Sequence, residues 1–149
     1  MKSILNCQEI YKALPHRYPM LFADGICEIR YGEYVEGYKN VSFNEPWTVG
    51  HFADEPLLPG ICIIEIMAQI GGFMYYDEAK KDKENQIKAY LVGVDNAKFK
   101  HKVYPGDQLY VKAKLIQKVG KIIKAKSTAY VNDKVVASAE IIYCFEQDV

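Results

Sequence analysis

The sequence predicts an α+β domain in which one unusually apolar helix is wrapped by a largely antiparallel β-sheet. Three observations lead to this fold class. After Pro59-Gly60 the chain is apolar on every side for several turns, which is typical of a helix that protein surrounds completely. After Lys88 apolar and polar residues alternate with a period of two, as they do in strands with one buried face. Short turn sequences separate these strands, which favours antiparallel neighbours.

The first half of the chain supplies a short helix, strand segments and the apolar helix. The helix CQEIYKAL ends before Pro15, because proline cannot continue a helix. Glycines divide the strand-like pieces between 18 and 43, with a turn at Tyr31-Gly32-Glu33. The apolar helix is predicted over about 60 to 76. The polar segment that follows it, DEAKKDKENQIK, is predicted to be a frayed helix end and an exposed loop.

The second half of the chain predicts strands. The segment AYLVGVDNAKFKHKV predicts a strand, a bend near Asp95-Asn96 and another strand. Three longer strands follow the turn at PGD, with turns between them at Gly120 and Asn132-Asp133. A single sheet offers the helix only one inner face, so the simplest arrangement closes the remaining side with a second subunit. The residues predicted to face the core are Leu109, Val111, Ala113, Leu115, Ile123, Ala125, Ser127, Ala129, Val131, Val135, Ala137, Ala139, Ile141 and Tyr143.

Composition excludes several classes of protein. A chain of 149 residues is most simply one domain, 1–149. Its formal net charge of zero argues against a general nucleic-acid binder. The four cysteines include no CxxC pair, so no metal site is predicted. Because Pro59-Gly60 and Glu65 interrupt the apolar run from 57 to 76, no membrane span is expected. With no signal peptide at its N-terminus, the protein is predicted to be cytoplasmic.

The candidate chemistry lies around His51 and Glu65. Glu65 stands among apolar helix residues with Gln69 one turn further on, and a desolvated carboxylate has a raised pKa and can relay a proton near neutral pH. His51 lies just before this helix and can accept a proton. Gly60 begins the helix, whose first N–H groups are free to bind a carbonyl oxygen that becomes negative. Together these groups suit proton abstraction beside a carbonyl, followed by loss or gain of water.

Structural roles remain open for the same residues. The alternative for Glu65 is a buried structural glutamate that accepts hydrogen bonds from backbone donors. The alternative for His51 is a histidine whose hydrogen bonds are only structural.

Four segments carry a resemblance to a known family: LPHRYPM, NEPWTVGHF, PLLPGICIIEIMAQIGG and VYPGD. Together they resemble the (3R)-hydroxyacyl-acyl carrier protein dehydratases of the hot-dog superfamily, and more narrowly the FabZ type. The similarity runs from about Leu14 to the end of the chain, and it includes an acid fourteen residues after the histidine. The related dehydratase-isomerase type has aspartate at the position of Glu65, which favours the plain dehydratase.

The resemblance implies a hot-dog fold, dimers that often assemble into hexamers, no cofactor, and dehydration of a 3-hydroxyacyl chain carried by acyl carrier protein in fatty acid biosynthesis. It implies that His51 removes the C2 proton and that Glu65 of the other subunit helps the C3 hydroxyl leave as water. The N–H of Gly60 would bind the thioester oxygen. The residues expected along the acyl tunnel are Tyr90, Phe52 and Gln69. Docking of the acidic carrier protein is expected on Arg17, Lys98, Lys100 and Lys102.

Some of these expectations have plain alternatives. Tyr90 is equally well interpreted as an ordinary strand aromatic, and each basic residue as part of a solvated face. The rival enzyme is a hot-dog thioesterase. The rival from another class is a non-catalytic acyl-binding subunit, and a dehydratase of a specialised pathway is a further alternative.

The chain departs from the family pattern at two places. Many members continue with proline after the catalytic His-Phe pair, whereas this chain continues with Ala53-Asp54-Glu55. The two carboxylates are expected to favour the protonated form of His51. The family often has arginine after the aspartate that corresponds to Asp24, where this chain has Gly25, so an arginine contact is expected to be missing.

Overall fold

A computed structural model describes residues 2–80, 86–146 and 149 of the chain. The helices are α1 (Cys7–Ala13), α2 (Pro46–Val49) and α3 (Gly60–Gly72), and a 3-10 turn, Phe73–Tyr75, continues α3. The strands are β1 (Gly25–Arg30), β2 (Tyr34–Asn40), β3 (Ala89–Phe99), β4 (Gln108–Val119), β5 (Ile122–Val131) and β6 (Lys134–Phe145). They form one six-stranded sheet in the order β1-β2-β4-β5-β6-β3, and every neighbouring pair is antiparallel. The α+β prediction is confirmed.

The short helix α1 begins with a capping box. The Asn6 side chain accepts hydrogen bonds from the backbone N–H groups of Gln8 and Glu9, and the Glu9 carboxylate accepts one from Asn6 N at 2.7 Å. These bonds satisfy N–H groups that have no partner inside the helix. Ile10 then packs into the core with no exposed surface.

Helix α3 is buried along most of its length. Ile66, Met67 and Ile70 have no exposed surface, and the helix packs against β2, β4, β5 and β6. The first turn of the helix is open in the single chain, where Ile61 is 81% exposed, and cover by a second subunit on this side stays a prediction. With 13 residues, α3 is too short to cross a bilayer, and no other helix in the described ranges is long and apolar enough to do so.

The sheet follows the predicted alternation closely. Val111 pairs with Ala129 and Ala125 with Ile141, all on the buried face. The alternation breaks at the start of β6, where Val136 is buried instead of Val135. The register shifts there, opposite the step from Ala129 to Tyr130, so two consecutive β6 residues turn toward the core.

Strand β3 corrects one prediction. The bend expected near Asp95-Asn96 is not a break, because Ala89–Phe99 is one strand. The irregularity is instead absorbed inside it: Asn96 has φ +53° and the pairing with β6 shifts register between Asp95 and Lys98. Of the loop predicted at 77–88, residues 81–85 lie outside the described residues.

The outer face of the sheet carries a buried carboxylate. Glu36 on β2 is nearly buried, and its oxygens accept hydrogen bonds from the hydroxyls of Tyr34 and Tyr110, the latter at 2.5 Å. Lys112 Nζ lies 2.9 Å from Glu36 Oε1. Burial by itself would raise the pKa of Glu36, but the bonds from Tyr110, Tyr34 and Lys112 outweigh it and hold that pKa below its usual value.

Candidate active site

Glu65 lies at the head of a largely apolar cavity on one face of α3. Its side chain is 24% exposed, so it is less buried than its helix neighbours predict. The cavity has a volume of about 60 Å3. Its lining consists of Leu14, His16, Glu65, Ala68, Gln69, Gly72, Ile87, Ala89, Leu91 and Tyr143. A carboxylate in such a cavity can meet the polar end of a ligand whose apolar part lies along the helix.

Gln69 holds one oxygen of that carboxylate in place. Its Oε1 accepts hydrogen bonds from the backbone N–H of Phe22 at 2.8 Å and of Ala23 at 3.3 Å. Its Nε2 donates to Met20 O at 2.6 Å and to Glu65 Oε1 at 2.8 Å. Because every polar atom of the buried amide is engaged, its orientation is determined. Gln69 lines the cavity and also positions Glu65, and its role in an acyl tunnel stays a prediction.

His16 is the neighbour of Glu65 that sequence reasoning missed. Its Nε2 lies 3.4 Å from Glu65 Oε1, and its Nδ1 is buried without a hydrogen-bond partner. Both His16 and Gln69 approach Oε1, and within the described part of the chain no hydrogen bond or ion pair reaches Oε2. One carboxylate oxygen is therefore oriented by protein, while the other has no partner among the described residues. The motif LPHRYPM contained this histidine, but nothing in its spacing pointed to Glu65.

His51 follows α2 and is held by the segment after it. Its backbone O accepts from Leu57 N at 2.9 Å, and its Nδ1 lies 3.3 Å from Leu57 O. The His51 ring stacks on Phe52 with ring centroids 4.4 Å apart, and the peptide bond between these two residues is cis. A carbonyl partner favours the tautomer with its proton on Nδ1, which leaves the lone pair on Nε2 for proton abstraction.

A buried ion cluster fixes the approach to His51. Lys39 Nζ, on a side chain that is only 10% exposed, lies 3.3 Å from Asp24 Oδ2 and 3.1 Å from Glu45 Oε1. Glu45 Oε2 accepts from Trp47 Nε1 at 2.7 Å. A buried lysine needs such partners to remain charged, so the cluster ties β2 to α2 and the residues that follow it. Beside Asp24, a Cβ on Gly25 would lie 2.4 Å from the Tyr38 ring, so a larger residue at position 25 would require that ring to move.

The N-terminus of α3 faces a second cavity. In the described residues the N–H groups of Gly60 and Ile61 donate to no carbonyl, while those of Cys62 and Ile63 bond Pro59 O. A Cβ on Gly60 would lie 3.1 Å from the Phe99 ring, so glycine allows close approach there. The residues that line this cavity are Leu57, Leu58, Gly60, Ile63, Phe99, Lys100, His101, Lys102 and Val103. His51 lies next to this cavity, because it contacts Leu57, which is one of the lining residues.

Among the residues that the structure describes, no contact joins the two predicted proton-transfer residues. The cavity of Glu65 and the cavity of Gly60 share no lining residue. His51 contacts Leu57 and Phe52, whereas Glu65 contacts His16 and Gln69. One chain therefore presents two separate halves: a histidine beside a helix N-terminus, and a carboxylate at the head of an apolar cavity.

The remaining predicted tunnel residues lie outside the Glu65 cavity. Phe52 is 54% exposed beside His51. Tyr90 is 59% exposed and donates a hydrogen bond to Glu146. Because Ala89 and Leu91 line the cavity and side chains alternate along a strand, Tyr90 points to the opposite face. A tunnel role for Tyr90 stays a prediction.

The basic residues divide into two groups. Lys100 and Lys102 line the cavity of Gly60, and Lys98 precedes them on β3. Arg17 lies apart from them, with its guanidinium 3.8 Å from the centroid of the Tyr11 ring. Lys102 Nζ is 2.8 Å from Glu55 Oε1, so its charge is already offset.

Glu55 pairs with two residues of the segment after β3. Hydrogen bonds from Lys102 and Tyr104 lower the pKa of this carboxyl.

Comparisons with known proteins identify the family of the chain. The FabA-like domain family matches residues 14–140. The chain is similar to the 3-hydroxyacyl-(acyl-carrier-protein) dehydratase FabZ of Sulfurovum sp. (strain NBC37-1), 45% identical over 141 residues that cover 93% of this chain and 95% of the relative. The FabZ of Hydrogenobaculum sp. (strain Y04AAS1) is 46% identical over 138 residues, covering 91% and 90%.

Solved structures share the fold at low sequence identity. The dehydratase heterocomplex ApeI:P from Xenorhabdus doucetiae matches with a TM-score of 0.75 and 18% identity, covering 93% of this chain and 91% of that one. The structure of smu.793 from Streptococcus mutans UA159 bound to acetyl CoA matches with a TM-score of 0.64 and 14% identity, covering 90% and 95%. A long helix wrapped by an antiparallel sheet confirms the predicted hot-dog fold.

Proposed function

The chain belongs to the FabA-like family, and on that premise we propose that it dehydrates (3R)-hydroxyacyl-acyl carrier protein to the trans-2-enoyl thioester in fatty acid biosynthesis. The observation that carries the proposal is the Glu65 carboxylate, which lines a largely apolar cavity and has one oxygen held by Gln69 and His16. That arrangement suits an apolar acyl chain whose hydroxyl group must lose its oxygen. We also propose that residues 1–149 form one dehydratase domain, which works in the cytoplasm.

Each step uses one atom of the site. The thioester oxygen accepts a hydrogen bond from Gly60 N–H, which stabilises the negative charge that develops there. His51 Nε2 removes the C2 proton, and the electrons of that C–H bond form the double bond between C2 and C3. The C3–O bond breaks as Glu65 donates its proton from Oε2, so the hydroxyl leaves as water. Transfer of the proton from His51 back to Glu65 through solvent restores the starting state.

We propose that each site combines His51 of one chain with Glu65 of another. Strand β3 supports this arrangement because it lies at the edge of the sheet, with Val92 and Phe99 exposed. An exposed apolar edge strand is a template for pairing with a second chain. In the described residues no contact joins His51 to Glu65, so a second copy is the simplest source of the missing half.

The direction of β3 determines which halves meet. The start of β3, at Ala89 and Leu91, lines the Glu65 cavity, whereas its end, at Phe99, lines the Gly60 cavity. A two-fold axis that pairs β3 with its copy in antiparallel fashion lays the start of one strand against the end of the other. The Glu65 half of one chain then faces the His51 and Gly60 half of its partner. Assembly of three such dimers into a hexamer is a further step of the same proposal.

We further propose that acyl carrier protein docks near the Gly60 cavity, on Lys98 and Lys100. In the described residues neither lysine forms a salt bridge, unlike Lys102, and Lys100 lines the cavity. An acidic partner would be attracted to this surface. Arg17 lies beside His16 and is the proposed contact on the Glu65 half.

One incubation tests the reaction. The purified protein is mixed with a (3R)-hydroxyacyl-carrier protein, and the products are separated by mass. A loss of water that gives the enoyl thioester supports the proposal. Release of a free thiol identifies a thioesterase, and binding without turnover identifies an acyl-binding subunit. The Gln69→Ala variant should lower the dehydration rate through misplacement of Glu65 while leaving the product unchanged.

A further inference from the structure

Two consecutive glycines end helix α3, and only the first is required by packing. A Cβ on Gly71 would lie 2.1 Å from the buried hydroxyl of Tyr143, which no real structure tolerates. A Cβ on Gly72 would meet only Ile87 Cγ2, at 3.5 Å, an ordinary contact. The φ of Gly72 is −59°, in the helical range of any residue. Alanine would fit at this position and would favour the helix more than glycine does.

Gly72 lies at the deep end of the Glu65 cavity. Glu65, Ala68, Gln69 and Gly72 are spaced to share one face of the helix, and all four line the cavity. The step from Glu65 to Gly72 covers about 10 Å along the helix axis, at 1.5 Å per residue. The carboxylate therefore marks the reacting end of the cavity, and Gly72 together with Ile87 marks the end where an apolar chain would stop.

The small size of the cavity makes one added methyl group important. Its volume of about 60 Å3 corresponds to only a few water molecules, at roughly 10–15 Å3 each on the same measure. A methyl on Gly72 would take up a large part of that space without disturbing the wall. Neither packing nor backbone geometry requires glycine at position 72. What glycine provides there is the space that it leaves in the cavity.

We propose that Gly72 sets the length of the acyl chain that the enzyme accepts, by keeping the deep end of the cavity open. This inference rests on the proposed function, since it assigns the cavity to the acyl chain of the substrate. Each methylene that is buried contributes about fourfold to kcat/KM. Alanine at position 72 removes the space for the last methylene, and overpacking beyond it lowers the rate further.

The test measures chain-length selectivity in wild type, Gly72→Ala and Gly72→Val. The readout is the ratio of kcat/KM for the longest hydroxyacyl-carrier protein that wild type accepts to that for the shortest. We expect the ratio to fall at least about fourfold in Gly72→Ala and further in Gly72→Val. A ratio that remains unchanged in both variants, with both folded, overturns the proposal.

A control variant separates this effect from a general loss of stability. Ala129→Val adds bulk to the buried face of β5, outside the cavity lining. It should lower the melting temperature and leave the ratio of long to short substrates unchanged. If Ala129→Val shifts the ratio as much as Gly72→Val does, selectivity reports overall packing and the role of Gly72 is refuted.

Binding separates the inference from the proposed reaction. Dissociation constants are measured for saturated acyl pantetheine thioesters of increasing length, which cannot be dehydrated. We expect wild type to bind longer chains more tightly and Gly72→Val to lose that gain. If wild type dehydrates no substrate but shows this dependence, the proposed function fails and the role of Gly72 stands. If affinity is independent of length in wild type, the cavity does not hold the acyl chain and the inference is wrong.

Discussion

Two inactive variants should restore each other's activity if the site is shared between chains. His51→Ala lacks the proposed base and Glu65→Ala lacks the proposed acid. When the two are mixed, dissociated and reassociated, a mixed dimer has one site with both mutations and one site with neither. The intact site takes His51 from the Glu65→Ala chain and Glu65 from the His51→Ala chain.

The expected activity follows from the geometry of a two-fold dimer. Random pairing of equal amounts makes about half of the dimers mixed. One of the two sites works in each mixed dimer, so activity should return to roughly a quarter of wild type. The assay is the appearance of enoyl product from a hydroxyacyl-carrier protein. Native mass spectrometry on a mixture in which one variant carries an affinity tag measures the fraction of mixed dimers.

A second mixture provides the matched control. Wild type is paired with a chain that carries both mutations, so that every mixed dimer loses one member of each shared site. Activity should then fall to roughly a quarter of wild type if sites are shared, and to roughly a half if each chain has its own site. Persistent inactivity of the first mixture, together with one-half activity in the second, would refute the shared site and the pairing of β3 with its copy.

The remaining predictions concern single positions. His51→Ala and Glu65→Gln should each lower kcat at least about a hundredfold while the melting temperature stays near that of wild type, since a general base or acid contributes ~10²–10⁴-fold. His16→Ala should lower kcat by about tenfold, the worth of one hydrogen bond, and His16→Gln should restore part of it, because its amide can donate to the carboxylate. Lys100→Glu should lower kcat/KM for carrier-protein substrates, and added salt should lower the wild-type value, because attraction between exposed charges is screened over roughly 8 Å at physiological ionic strength. Glu36→Gln should make the free energy of unfolding depend less on pH in the acid range. The lowered pKa of Glu36 stabilises the fold above the unfolded pKa of about 4.3 and is lost as pH falls through the folded value, which urea unfolding at several pH values measures.

Each of these predictions has an outcome that contradicts it. Near wild-type turnover in His51→Ala or Glu65→Gln would remove that residue from the mechanism. An effect of His16→Ala on KM alone would mean that His16 contacts the substrate rather than orienting the carboxylate. Equal salt sensitivity with a small pantetheine thioester would exclude electrostatic docking. If the free energy of unfolding of Glu36→Gln depends on acid pH as it does in wild type, the bonds to Tyr34, Tyr110 and Lys112 do not stabilise the ionised form.

The sequence by itself determined the local elements and the strongest site candidates. Alternation with a period of two predicted the strands β4 to β6, because successive side chains of a strand point to opposite faces. The turns at Gly120 and Asn132-Asp133 were predicted correctly, and all three residues have positive φ, which few other residue types adopt. The motifs around His51 and Glu65 resembled a family that the comparisons then showed.

Tertiary structure decided which of these residues are neighbours. His16 reaches Glu65 across 49 positions, and Lys102 neutralises Glu55 across 47, although no local pattern links either pair. It also decided that β3 continues through Asp95-Asn96, because its pairing with β6 absorbs the irregularity that the sequence alone presents as a break. Periodicity specifies the face on which a side chain lies, but contacts between distant segments depend on strand register and on how the sheet packs over the helix. Those are set only when the whole core is assembled.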